Sequence, residues 1–225
     1  MRWSSLRSYK NENPVRADDV SLKALRIKGT KQLNGPVDDY NLIGTRLFPD
    51  WDGSAWVEDQ PTSNPASIYR YVLLSEFAKT PLTLLDIDSK AFEAWHDFCA
   101  AKGLTYDSYI DYDMDREELL NEIAAAGLAA PALNDNKYSV VVDNDRELIA
   151  QQITQRNSFN YSYEKSFLNP PHALRVPFNN RDKDYLPDEL VVYADGYDQY
   201  TATNFDRLPF PGVTSEEANY RLARH

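Results

Sequence analysis

Only one cysteine, Cys99, stands in the 225 residues, so an intrachain disulfide is excluded and packing and hydrogen bonds must hold the fold. Glycine is scarce, eight in all against thirteen prolines, which points to stiff, defined loops. No run approaches the ~18 apolar residues that a membrane-spanning helix needs. Basic residues are short as well: 24 Lys and Arg face 35 Asp and Glu, a formal net charge of −11. A general nucleic-acid binder gains affinity from cations that displace counterions from phosphate, so that class is disfavoured. An anionic membrane surface is disfavoured for the same reason. The same charge keeps a protein soluble and, inside a channel, would repel DNA from the walls. The N-terminal MRWSSLRSYKNENPV has no apolar h-region and is not a signal peptide. The G-x-S-x-G, G-x-x-x-x-G-K-[ST] and G-x-G-x-x-G motifs are missing, which weakens hydrolase, nucleotidase and dehydrogenase readings.

What is present is globular. The chain is 42% apolar and 26% charged, which is not the composition of a disordered protein. Its length suits one large domain or two small ones, burying roughly 70–75% of the unfolded surface. Three segments read as helices. NPASIYRYVLLSEFAK has Asn64 as N-cap and Pro65 at the first helical position. DSKAFEAWHDFCAAKG has Asp88 as cap, an apolar face of Phe92, Trp95, Phe98 and Cys99, and Gly103 beyond its end. DREELLNEIAAAG pairs Asp115 with Glu118 as in a capping box. A shorter helix is suggested by the spacing of Val37, Tyr40, Ile43 and Leu47, and SEEANYRLARH begins another. Strands are expected at 21–29, 104–110, 137–143 and 148–154, and in ALRVPF and ELVVYAD, with a turn at Asn134, Asp135 and Asn136. Residues 49–63 read as a rigid loop with two tryptophans.

The fold class is therefore α+β, a helix-rich half followed by a mainly antiparallel β half. Residues 1–30 read as strand segments continuing from a truncated region, 31–145 as an α+β domain with three helices, and 146–225 as a mainly β domain that ends in the start of a helix. Both ends read as cut, so the chain is expected to be a fragment of a longer one.

Each candidate for chemistry has a plainer reading. Asp111, Asp113 and Asp115 occupy positions 1, 3 and 5 of a calcium loop and Glu122 position 12, but Arg116 stands where the sharp turn needs Gly. A capped helix explains them better. His96, His172 and His225 form no H-E-x-x-H pair, and Cys99 lacks a C-x-x-C partner. Cys99 reads as core and His172, after two prolines, as the start of a strand. The acid pairs Asp38/Asp39, Glu117/Glu118 and Glu216/Glu217 leave a glycosidase composition open, though thirty-five acids always supply such pairs. Trp51, Trp56, Tyr197 and Tyr200 fall in predicted loops, where amphipathic rings suit a protein- or sugar-binding surface.

Nine stretches, in this order, carry a resemblance: LKALRIKGTKQLNGPVDDYN, PDWDGSAWV, NPASIYRYVL, FEAWHDFCAAKGLTYD, EIAAAGLAAPAL, YSVVVD, QRNSFNYSYEKSF, PHALRVPFNNRDKDY and ELVVYADGYDQYTATNFDRLPFPGVT. Together they resemble the central part of the tail-tip attachment, or host-specificity J, proteins of lambda-like siphophages and prophages, over nearly the whole chain. The resemblance implies a fold similar to phage baseplate and tail hub domains, and a structural role in the virion tail after synthesis in the bacterial cytoplasm. It implies a trimer that closes the tail tube, with other tail proteins as partners. No catalytic, cofactor or metal residue is carried over, and neither specific nucleic-acid binding nor membrane insertion is expected. The candidate interface is Trp51, Trp56, Tyr193, Tyr197, Tyr200 and Phe205, with Asp195 and Gly196 turning the chain. This chain departs from the family pattern at Pro36, and it ends where the family's chains continue. The competing readings are a carboxylate-based cell-wall glycan hydrolase and a glycan-binding adhesion module of the tail.

Overall fold

A computed structural model of the chain describes residues 43–75, 81–110, 112–145, 151–160, 162–163 and 169–225. They belong, from Thr45 to His225, to one folded unit. Within it the order is β1 (Leu47–Trp51), β2 (Trp56–Pro61), α1 (Pro65–Leu74), α2 (Ser89–Lys102), α3 (Arg116–Ala126), β3 (Ala129–Asn134), β4 (Lys137–Val142), β5 (Ala173–Asn180), β6 (Leu186–Tyr193), β7 (Phe205–Arg207) and α4 (Glu216–Arg224). The architecture is mixed α+β. Helices dominate the first half, strands become more frequent in the second, and three small sheets appear among the described residues.

Helix ends follow local chemistry. The Asn64 side chain accepts from the Ala66 N–H and Asp88 accepts from Ala91, each satisfying a free donor at a helix start. Gly103 closes α2 at φ 63°, with its N–H on the last-turn carbonyls. Ser215 caps α4 through Ala218. At α3, Asp115 holds the N-cap position but makes no side-chain cap bond, so the expected capping box is not formed.

One buried cluster joins α1, α2, α3, β4 and the C-terminal helix. Tyr69, Leu73, Phe92, Trp95, Cys99, Ile123 and Leu222 all belong to it. Tyr69 meets Trp95 edge-on at 5.5 Å between centroids, and Phe92 lies 5.5 Å from Tyr69. Such aromatic pairs add about 0.5–1.5 kcal/mol beyond their burial. The Trp95 indole N–H donates to the Gly127 carbonyl at 2.8 Å, which satisfies the one polar atom of a fully buried side chain.

Several sequence expectations are corrected. Residues 49–63 contain a hairpin rather than a loop: β1 and β2 pair antiparallel with a bulge, and Asp52 holds the turn by accepting from Ser54 and Ala55. The short helix expected up to Leu47 is not formed in its described part, because Leu47 pairs with Pro61; residues 37–42 lie outside the described set. The strand expected at 104–110 forms no ladder. Tyr106 N–H donates to the Ser63 carbonyl and Asp107 N–H to the Gly212 carbonyl, so each neighbour offers a single residue. Residues 151–154 form no strand either: Ile153 is 76% exposed, so its side chain has no sheet face to pack on. The rest of that expected strand, and the one at 21–29, lie outside the described residues.

The turn expected at Asn134, Asp135 and Asn136 joins β3 to β4, with Asp135 (φ 48°) and Asn136 (φ 61°) both left-handed, as a two-residue hairpin loop requires. In the third sheet β5 lies between antiparallel β6 and parallel β7. The carboxylate of Asp107 then accepts from Ser63 Oγ at 2.5 Å and from Thr214 Oγ1 at 3.0 Å, tying the approach to α1 to the approach to α4.

A methyl group built on Gly127 would sit 2.6 Å from the Trp95 ring. Gly127→Ala should therefore destabilise the chain by about 1–3 kcal/mol in urea unfolding, the cost of overpacking. Gly44→Ala, where nothing lies within 4 Å, should change it by less than about 0.5 kcal/mol. Equal effects at the two positions would refute the tight Trp95 seat.

Candidate functional site

The residues between β6 and β7, 194–204, form a loop whose shape comes from its own short polar side chains. Ala194 N–H donates to the His172 carbonyl, and Tyr197 N–H closes a turn on the Ala194 carbonyl. Gly196 sits in that turn at φ 87°, a conformation that costs glycine nothing. Arg224 on α4 holds the turn from outside: one guanidinium nitrogen donates to Asp195 Oδ1 at 2.7 Å and the other to the Tyr193 carbonyl at 3.1 Å.

The middle of the loop is organised by Asp198. Its Oδ1 accepts from the Tyr200 N–H (2.8 Å), the Thr201 N–H (2.9 Å) and the Thr201 hydroxyl (2.9 Å). These donors, the Tyr200 amide foremost, hold the carboxyl below its ordinary value. The far end closes on His172, whose Nδ1 accepts from the Thr203 N–H at 3.1 Å and the Asn204 N–H at 3.4 Å. Its imidazole stacks on Tyr197 at 4.0 Å and 11°.

Four of the six candidate aromatics lie on or beside this loop. Tyr197 is 41% exposed and Tyr200 84%, so both present rings to solvent from a fixed backbone. Tyr193 ends β6 and is half-buried, while Phe205 starts β7 with the Arg175 guanidinium over its ring at 4.8 Å. Trp51 and Trp56 are elsewhere, opposite each other across the β1–β2 hairpin with rings 5.7 Å apart. Trp56 is packed inward, with Arg70 stacked on its face at 4.3 Å and His96 edge-on at 6.2 Å. The six aromatics therefore make two patches.

Beside the tryptophans, Asp50 Oδ1 accepts from Ser67 Oγ at 2.6 Å and from His96 Nε2 at 3.1 Å. The carboxylate stands between serine and imidazole, so the Ser67 proton points at Asp50 and not at a histidine base. This geometry fastens the hairpin to α1 and α2; it does not activate a nucleophile. Cys99 is fully buried, and burial pushes its thiol well above the ordinary range. Among the described residues no three of His, Cys, Asp and Glu gather as a metal site, and no helix is long and apolar enough to cross a membrane.

His172 and Arg224 were not singled out from sequence as loop organisers. Their partners lie 31 and 29 residues away, beyond any local motif, and only the fold brings them together.

Asp198→Ala should raise hydrogen exchange at Tyr200 and Thr201 while the urea midpoint stays put. Because the carboxyl is held low in the ordered loop, the local protection it gives Tyr200 and Thr201 is present above the ordinary Asp value of 3.8 and is lost as pH falls through the lower folded value. Unchanged exchange in the variant would show that the loop is held by other means. A scan against protein-family models finds no match, and a search of the curated proteins finds none either.

Proposed function

We propose that this chain is a central hub region of a phage or prophage tail tip, a structural component that helps close the tail tube and connects it to host-attachment domains. The ordered set of nine sequence segments is the basis of the family reading, with its fold similar to baseplate hub domains. The structural observation that carries it is the loop at 194–204. Tyr197 and Tyr200 project from a backbone already fixed by Asp198, His172 and Arg224. Rigid aromatics lose little conformational freedom on docking, so such a loop suits a permanent contact with a neighbouring tail protein or protomer. In that assembly the chain works as one of three copies, without catalysis and without a cofactor.

Antibody raised against the chain should place immunogold at the end of the tail distal to the head. Absence of the protein from purified particles, judged on denatured virions, would overturn the reading. Replacing Tyr197 and Tyr200 together by Ala should cut the yield of complete tails severalfold while leaving the urea midpoint of the isolated chain in place. Normal tails from that variant would remove the loop from the contact. Peptidoglycan zymography should show no clearing, and clearing would put a hydrolase first.

A further inference from the structure

We infer that His172 is an acid-sensitive clasp for the 194–204 loop. A single residue holds both ends. Its carbonyl accepts from Ala194 N–H at 2.9 Å, where the loop leaves β6, and its own N–H donates to the Asn204 carbonyl at 2.7 Å, where the loop joins β7. Its ring supplies what its backbone cannot. Nδ1 lies 3.1 Å from the Thr203 nitrogen, 3.4 Å from the Asn204 nitrogen and 3.4 Å from the Thr203 hydroxyl oxygen, which can turn to donate or accept. A backbone N–H only donates, so Nδ1 must carry a lone pair and the ring must be the neutral Nε2–H tautomer. A proton on Nδ1 would turn an acceptor of two amides into a donor facing both. The Thr203 and Asn204 amides would then lose their partner, even where the Thr203 hydroxyl turns to accept from Nδ1.

Among the described residues the surrounding charges are engaged with other partners. On the loop, Asp195 is bound to Arg224 and Asp198 is enclosed by its own loop donors. On β5, Arg175 is paired with Glu189; on β7, Asp206 accepts from the Arg207 amide. The phenol of Tyr197 lies on the ring's face. Among the described residues none of these forms an ion pair with the imidazole. Histidine is the side chain whose charge ordinarily changes between about pH 5 and 8, and Asp198 stays ionised across that interval because its loop donors hold it low. Where the loop serves as the contact surface proposed above, mild acid would loosen that contact, but the clasp rests on its own geometry and not on the tail reading.

The test is nitrogen-15 NMR on the whole 225-residue chain from pH 8 to pH 5. At pH 8 the His172 ring should be the Nε2–H tautomer. As the ring takes up a proton, exchange protection at Thr203 and Asn204 should fall about five- to tenfold, the factor that one net hydrogen bond carries, while Val176 and Leu190 in the β5–β6 ladder keep theirs. His172→Asn offers a carbonyl oxygen near the place of Nδ1 and cannot titrate, so its protection should not depend on pH. His172→Phe keeps a ring for Tyr197 but no acceptor, so Thr203 and Asn204 should exchange freely at every pH. An Nδ1–H tautomer at pH 8, protection unchanged through the ring's titration, or the same acid response in His172→Asn would each overturn the clasp.

Discussion

The indole of Trp95 lies so close to Gly127 that a methyl group would meet its ring at 2.6 Å, and the same contact carries the hydrogen bond from Nε1 to the Gly127 carbonyl. Most of the helical half follows from it. Gly127 ends α3, so seating the indole there fixes α3 against α2, and Tyr69 on α1 closes the third side. The immediate exit into β3 then sets where the β3–β4 hairpin begins. From the far strand Tyr138 reaches back, its N–H on the Asp86 carbonyl and its carbonyl accepting from Asp88, the residue that caps α2. The helix bearing Trp95 is thus held at its start by the hairpin whose position Trp95 helps to set. Such closed dependence is what a cooperative core requires.

Helices were legible in the sequence because their signals are local. Asn64 with Pro65, and Asp88 with Gly103, mark ends by chemistry that acts within four residues. The β3–β4 hairpin was half legible: its turn and β4 were read, while AAPALN was not, being neither β-branched nor alternating. The β1–β2 hairpin escaped because PDWDGSAWVEDQP is dense in turn formers, and its bulge breaks the period of two that would have identified it. Leu104, Tyr106 and Asp107 misled in the opposite direction. A strand is defined by its neighbours, and here these are single residues: Ser63 for Tyr106, 43 residues away, and Gly212 for Asp107, 105 residues away.

The candidate surface shows the same division. That Asp195 and Gly196 would turn the chain was readable from residue type, and Gly196 has the positive φ that reading required. That His172 would fasten the loop was not readable, since nothing in PPHALRV indicates a partner at Thr203. The tryptophans were grouped with the tyrosines because both seemed to stand in loops. In the fold Trp56 is an inward-packed strand residue between Arg70 and His96, and its environment is that of a core margin.

Two strand edges in the fold are partly closed to strand addition. The Asn134–Lys137 pair closes a two-residue hairpin and is therefore hydrogen-bonded, so by alternation Pro131 falls at a non-bonded site of β3 and faces outward. Having no N–H, it blunts that edge. On β6 the bond from Ala194 to His172 fixes the same alternation, which turns Pro187 outward, while Arg224 occupies the Tyr193 carbonyl at the other end. Two arginines of α4 are similarly engaged within the fold, Arg224 on Asp195 and Arg221 on Glu217. In the contact proposed above, the grip falls to rigid rings, and Tyr197 and Tyr200 present theirs from the loop that follows the β6 edge, where Pro187 and Arg224 have removed one donor and one acceptor.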